Sequence, residues 1–339
     1  MMPAHLRLRF DGDALAANWH DLARMSAPAA CGAAVKANGY GLGAARVAET
    51  LASAGCRDFF VATWAEAAEL APLKLSVSVL HGVFDDDLPL ALSGIARPVL
   101  NSVGQIARWR SVGGGACDVM VDTGINRLGI APAEAAAMTE GLQLDTLLSH
   151  LACADEDVAM NARQCVDFTA LRGATPARRM SLANSAGIGL GSDYLFDLTR
   201  PGLALYGGLP RAELAGMRQV ATPEAQIIQR RRVRAGDTVG YNATFTAPRD
   251  IEVAVLHLGY ADGYLRGFSG TGMAFAQGAI LPVIGRVSMD LTAIDVSAAP
   301  TLAEGDWVAM EYELPEAARQ SGLSQYELLT GLGRRFGAA

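Results

Sequence analysis

Eight short apolar runs, most of them followed by a longer stretch of helical periodicity, constrain this chain more than any other feature of it. They fall at residues 31–35, 58–62, 76–80, 97–100, 117–121, 146–149, 179–183 and 195–199. Each has the length of a strand, and segments such as 42–54 and 157–172 repeat apolar residues at the spacing of a helix that buries one face. Strands separated by helices pair in parallel, because a parallel connection needs a crossover of a dozen or more residues. Eight such units predict an α/β fold, a (β/α)8 barrel of the TIM type.

An open doubly wound sheet is the competing architecture, since GYGLGAA at 39–45 follows the first run in the manner of a nucleotide loop. The dinucleotide fingerprint needs a third glycine where this chain has Ala44, and no acidic residue closes the next strand, so the barrel is preferred. From about Gln226 the texture changes to alternating strands broken by Gly-Asp and Pro, and helical signals vanish until the C-terminus. The expected division is therefore a barrel domain over 1–223 and a mainly-β domain over 224–339, joined by a Gly- and Pro-containing connector at 207–223.

Composition removes several function classes. A net charge of −7 and a single short basic cluster, Arg230 to Arg234, give no footprint for nucleic acid. The N-terminus lacks the apolar core of a signal peptide, and no run approaches the ~18 apolar residues that would span a bilayer. Five cysteines, an odd number with no C-x-x-C pair, indicate reduced thiols, no zinc site and no other metal. A cytoplasmic enzyme acting on a small molecule is the expectation.

In a barrel the chemistry gathers at the C-terminal ends of the strands. Lys36 follows the first run, Asp122 and Arg127 the fifth, His150 the sixth, Asn184 and Ser185 the seventh, and Arg200 with Gly202 the eighth. A lysine ending an apolar strand places its amine in the barrel mouth, where desolvation lowers its pKa and favours Schiff-base chemistry with a carbonyl cofactor. Alone it would read as a surface lysine, His150 as a core histidine and Ser185 as a helix cap; together they form one rim. Asn184-Ser185 and the Arg200-Pro-Gly-Leu turn supply a hydroxyl and backbone N–H groups of the kind that bind phosphate.

With these residues in place, the chain resembles the alanine racemase family, fold-type III enzymes dependent on pyridoxal phosphate. The motifs that carry the resemblance are AAVKANGYGLG (33–43), VDTGINRLG (121–129), SHLACADE (149–156), NSAG (184–187), DLTRPGLALYG (197–207), VGYNATFTA (239–247), LGYADGY (258–264) and IGRVSMD (284–290). The resemblance implies that Lys36 carries the cofactor and serves as acid and base on the D-face. It implies that Tyr241 serves the L-face from the other subunit, so that a homodimer shares its active sites. His150 and Arg200 match a relay in which the histidine links the tyrosine to an arginine facing the cofactor's pyridine nitrogen. A guanidinium there donates without releasing its proton, which weakens the electron sink and favours proton return to Cα.

By the same resemblance Tyr40, Asn184, Ser185, Gly202 and Leu203 surround the phosphate. Arg127 and the backbone of Met289 hold the substrate carboxylate, and Tyr260 and Asp290 lie near the access channel. The implied activity is the interconversion of L- and D-alanine, supplying D-alanine for peptidoglycan or degrading it. The sequence departs from the family twice. Many members place a carbamylated lysine seven residues before the clamp arginine, where this chain has Met120, so Asn126 or a bound anion would have to orient Arg127. A late tyrosine at the phosphate is missing, with Gly333, Arg334 or Phe336 in that region.

Three other functions fit parts of the pattern. A racemase of broader specificity, acting on serine or basic amino acids, stays open because both departures concern the substrate pocket. A non-catalytic pyridoxal phosphate carrier would stop after the barrel. A decarboxylase of the same fold type would be expected to have a glutamate where Arg200 stands and a cysteine beyond Cys165.

Overall fold

The structure, a computed structural model, describes residues 5–333 and 335–338, so Arg334 lies outside the described residues. The chain forms two compact units, Gly12–Arg218 and Met1–Asp11 with Gln219–Ala339.

In the first unit every apolar run found in the sequence is a strand. Ala33–Ala34, Asp58–Val61, Ser76–Val79, Arg97–Leu100, Cys117–Met120, Leu144–Leu148 and Arg179–Ser181 form one parallel sheet in chain order. The eighth strand, Leu198–Thr199, pairs in parallel with Ala30–Cys31 at the head of the first. It is tied to the seventh by N–H bonds from Asp197 to the Met180 carbonyl at 3.0 Å and from Arg200 to the Ala183 carbonyl at 2.9 Å. The sheet thus closes on itself, which removes its edges.

The helices lie where periodicity placed them. Ala44–Ala54 buries Ala44, Val47, Ala48 and Leu51, one face at helical spacing, and stops at Gly55, whose φ of 118° suits glycine. Inside the barrel, Phe60, Val99, Met120, Leu148 and Leu198 form a buried apolar cluster. Below it the interior turns ionic: Arg179 donates to Asp58 at 2.8 and 3.1 Å and to Asp145 at 2.8 Å, and Arg97 lies 3.6 Å from the fully buried Asp118. Burial pushes the Asp118 carboxyl up, opposed by Arg97. This polar floor sits at the N-terminal ends of the strands, the end a barrel uses for stability.

The second unit is built on the 13-residue strand Ala221–Val233. Its first half pairs with Leu6–Phe10 and Trp307–Met310, its second half with Ile251–Leu256, and a register shift between Ile227 and Gln229 lets one strand serve both. With Thr292–Asp295, Ala279–Ile284 and Met273–Ala276 the sheet returns to Ile251–Leu256 and closes a six-stranded antiparallel barrel. Pro223 lies within this strand rather than in the connector. The alternating residues near the N-terminus form a strand that buries Leu6 and Leu8. Among the described residues of this unit α-helices reappear only at Leu314–Ser321 and Gln325–Thr330, as the sequence texture indicates.

Candidate active site

Lys36 follows the first barrel strand and opens a turn of left-handed backbone. Ala37, Asn38, Gly39 and Tyr40 have φ of 54°, 55°, 62° and 54°. Left-handed backbone costs a non-glycine residue about 1–2 kcal/mol, so Ala37, Asn38 and Tyr40, three of the four residues in this run, must be held by their surroundings. The Ala37 N–H donates to Glu66 Oε1 at 2.6 Å, and the Ala44 N–H to Asn38 Oδ1 at 2.9 Å. The Tyr40 ring stacks on Tyr206 at 4.5 Å, and the Tyr206 hydroxyl donates to the Ala34 carbonyl at 2.9 Å. Glu66 is the third helical residue of a capping box with Thr63. That box is legible as TWAE in the sequence; its reach back to Ala37 is not.

Burial lowers the Lys36 pKa first, Arg127 and Arg200 lower it further, and Glu66 opposes them. Desolvation and the two arginines outweigh Glu66, so the charged form of the amine is less favoured than in water. Arg200 is buried, at 7% exposure, and its guanidinium donates to the Ser149 carbonyl at 2.7 Å, the Leu182 carbonyl at 3.4 Å and the Ser181 hydroxyl. Burial pushes its pKa down to about 10, against the pull of Asp118, so it stays charged near neutrality. Ser149 and Ser181, which fix its orientation, carried no signal in the sequence beyond their places at strand ends.

His150 is pushed down to about 3 by burial, then by Arg200, Arg127 and Lys36. It is neutral across the physiological range. In the unfolded chain a histidine titrates near 6.5. Between those two values the unfolded chain holds a proton that the folded chain does not. The stability from a neutral, buried His150 is therefore full above about pH 6.5 and lost as the pH falls toward 3, by on the order of a few kcal/mol. Thermal unfolding midpoints of the wild type should drop more steeply with acidification than those of His150→Asn; parallel curves would refute this.

The seventh and eighth strands supply a polar pocket. Asn184 is the N-cap of Ser185–Gly189, accepting the Gly187 N–H at 2.9 Å, so it and not Ser185 performs the capping. The Ser185 oxygen accepts N–H bonds from Gly202 at 2.9 Å and Ala204 at 3.2 Å, which leaves its own hydrogen to be donated. Gly202 cannot be replaced freely: a Cβ there would lie 2.2 Å from the Tyr40 hydroxyl. Leu203 opens the buried turn Leu203–Tyr206 behind it. Tyr40, Ser185 and Gly202, separated by up to 162 positions in sequence, thus meet at one point.

Arg127 is exposed in the loop after the fifth strand, and among the described residues no hydrogen bond or ion pair engages its guanidinium. Asn126, expected as one means of orienting it, gives its side-chain amide to the Gly124 carbonyl at 3.3 Å. Met120, in the place of the family's modified lysine, packs in the apolar cluster.

The remaining candidates lie in the second unit. Tyr241 opens a short turn and is 67% exposed, beside Val239, Arg286 and Leu291. Met289 is also exposed, and its carbonyl accepts the Ala261 N–H at 2.9 Å. The Tyr260 ring faces the Arg266 guanidinium at 5.3 Å, and Asp290 pairs with Arg335 at 2.8 Å.

Residues 10–210 match the family described as "Alanine racemase, N-terminal domain" and residues 220–338 "Alanine racemase, C-terminal domain". The alanine racemase of Acidiphilium cryptum is 42% identical over 98% of this chain and 98% of its own. That of Methylobacterium nodulans is 43% identical over 97% of this chain and 94% of its own. Among solved structures, the alanine racemase of Bartonella henselae with covalently bound pyridoxal phosphate superimposes with a TM-score of 0.89 at 33% identity, over 99% of each chain.

Proposed function

The chain belongs to the alanine racemase family, and from that premise we propose that the two proton transfers of racemisation are made by Lys36 on the D-face and Tyr241 of the partner subunit on the L-face, in a homodimer with shared active sites. The chain interconverts L- and D-alanine with pyridoxal phosphate as cofactor. The observation that carries the residue assignment is the half-buried Lys36 amine, its pKa lowered by desolvation and two arginines, at the start of a left-handed turn.

The residues present fit the cofactor. An amine whose pKa is lowered suits an aldehyde, and the Ser185 hydroxyl, with its hydrogen left to donate, suits a phosphate. The close approach of Tyr40 to Gly202 shapes a cradle that a side chain at 202 would fill. Lys36, Tyr40, Asn184, Ser185, Arg200, Gly202 and Leu203 would hold the group. When bound, pyridoxal phosphate supplies an electron-withdrawing ring that acidifies the substrate's α-hydrogen.

The chain's own groups do the rest. Arg200, charged near neutrality and fixed by three acceptors, donates without releasing its proton. Arg127, with its guanidinium unengaged, and the Met289 backbone hold the substrate carboxylate; the guanidinium can bind it in bidentate fashion. His150, neutral and buried among cations, links Tyr241 of the partner subunit to Arg200. A cytoplasmic location accompanies this reading: the five cysteines are free, and no helix among the described residues is long and apolar enough to cross a membrane.

The test is to incubate the holoenzyme with each of a panel of L-amino acids and resolve the products by chiral chromatography. L-Alanine should become racemic, with serine and the basic amino acids slower by about tenfold or more. Retention of the L-configuration in alanine would remove the proposal.

A further inference from the structure

We propose that Asp122 is the positioning residue for Arg127, holding the substrate-carboxylate clamp through the backbone of its loop. The proposal rests on the reading of Arg127 as that clamp. The loop leaves the fifth strand at Val121 and returns at Ile130, which forms a bridge with it. Its ends are closed by N–H bonds from Asp122 to the Ile130 carbonyl and from Ile130 to the Met120 carbonyl, both at 3.0 Å. Gly129 has a φ of 131°, and a Cβ on it would lie 2.5 Å from the Asp122 nitrogen, so the two ends are in backbone contact.

Within this closed loop the Asp122 carboxylate is the common acceptor. Oδ1 accepts the N–H groups of Gly124 at 2.8 Å and Asn126 at 3.1 Å, and Oδ2 accepts that of Arg127 itself at 2.9 Å. Asn126 is left-handed, with φ of 55°, a conformation that such bonds must hold in place. Met120, in the place of the family's modified lysine, packs in the apolar cluster and offers the guanidinium no anionic partner. One carboxylate therefore sets the direction in which Arg127 leaves the backbone. Hydrogen bonds to an ionised acceptor are the stronger kind, and three converge here.

The test compares holoenzyme variants. Asp122→Asn, which turns an N–H donor toward the loop's own N–H groups, should raise KM for L-alanine about tenfold and leave kcat within about twofold. Its amides at Gly124, Asn126 and Arg127 should exchange with deuterium faster, while cofactor content is retained. Should that variant not fold, Asp122→Ser, whose single short neutral hydroxyl cannot replace two carboxylate oxygens accepting three N–H groups, carries the same expectation. Asn126→Gly keeps the N–H given to Asp122 and should leave KM within about twofold. The proposal is overturned if KM in the Asp122 variants is unchanged, if the three amides keep their protection, if cofactor is lost with them, or if Asn126→Gly raises KM as much. Arg127→Ala with an unchanged KM would instead remove the underlying reading of Arg127.

Discussion

Lys36→Ala should abolish racemisation, by about four orders of magnitude or more, because on the proposed assignment the substitution removes both a proton-transfer group and the point of covalent attachment. Borohydride treatment of the wild type should fix the cofactor on the peptide containing Lys36, and the variant should carry none there. Stability should not fall with activity. The wild-type amine is desolvated and faces Arg127 and Arg200, so deleting it relieves an unfavourable burial in the cofactor-free chain. An unfolding midpoint equal to or above that of the wild type, together with lost turnover, is the expected pair of results. Turnover that survives in the variant would end the assignment.

Tyr241→Phe should reduce racemisation in both directions by about 10²–10⁴-fold. L- and D-alanine have equal free energy, so the equilibrium constant is unity and kcat/KM must fall equally in the two directions. The asymmetry lies elsewhere. With Lys36 intact, the α-hydrogen of D-alanine should still exchange with deuterated solvent, whereas that of L-alanine should not. Equal exchange of both enantiomers would refute the two-base reading. The phenol is 67% exposed in the chain by itself, so loss of its hydroxyl should change stability by no more than about 0.5 kcal/mol. Mixing the two inactive variants offers a test of the shared site. If a site combines Lys36 of one subunit with Tyr241 of the other, random reassociation leaves about a quarter of the sites intact. Recovery of activity on mixing is expected, and its absence would place both groups in one chain.

Both predictions use residues that could be named without coordinates, and for Lys36 the reason is local. A strand of a closed barrel is a short apolar run, and the residue after it stands on the rim whatever the rest of the chain does. Lys36, Arg127, His150, Asn184, Ser185, Arg200 and Gly202 were legible for that reason. Tyr241 and Met289 were not: neither follows a strand of the parallel barrel, and only the family resemblance in VGYNATFTA and IGRVSMD picked them out. Glu66 was half legible, as a helix cap and nothing more. Asp122 could be seen at a strand end, yet its three N–H partners could not, since they depend on a left-handed residue four positions later.

The sequence by itself determined the number of barrel strands, their order and the set of side chains at their ends, because hydrophobic periodicity is a property of neighbours along the chain. Tertiary structure alone decided that Leu198 pairs with Ala30, that Leu6–Phe10 joins the second unit beside Ala221–Val233, and that Ser149 and Ser181 converge on Arg200. Those pairings join residues far apart in sequence, so their register depends on closing the barrel and packing its interior. Left-handed backbone at Ala37 and Asn126 is likewise disfavoured by the residue itself and persists only where distant or looped-back acceptors hold it.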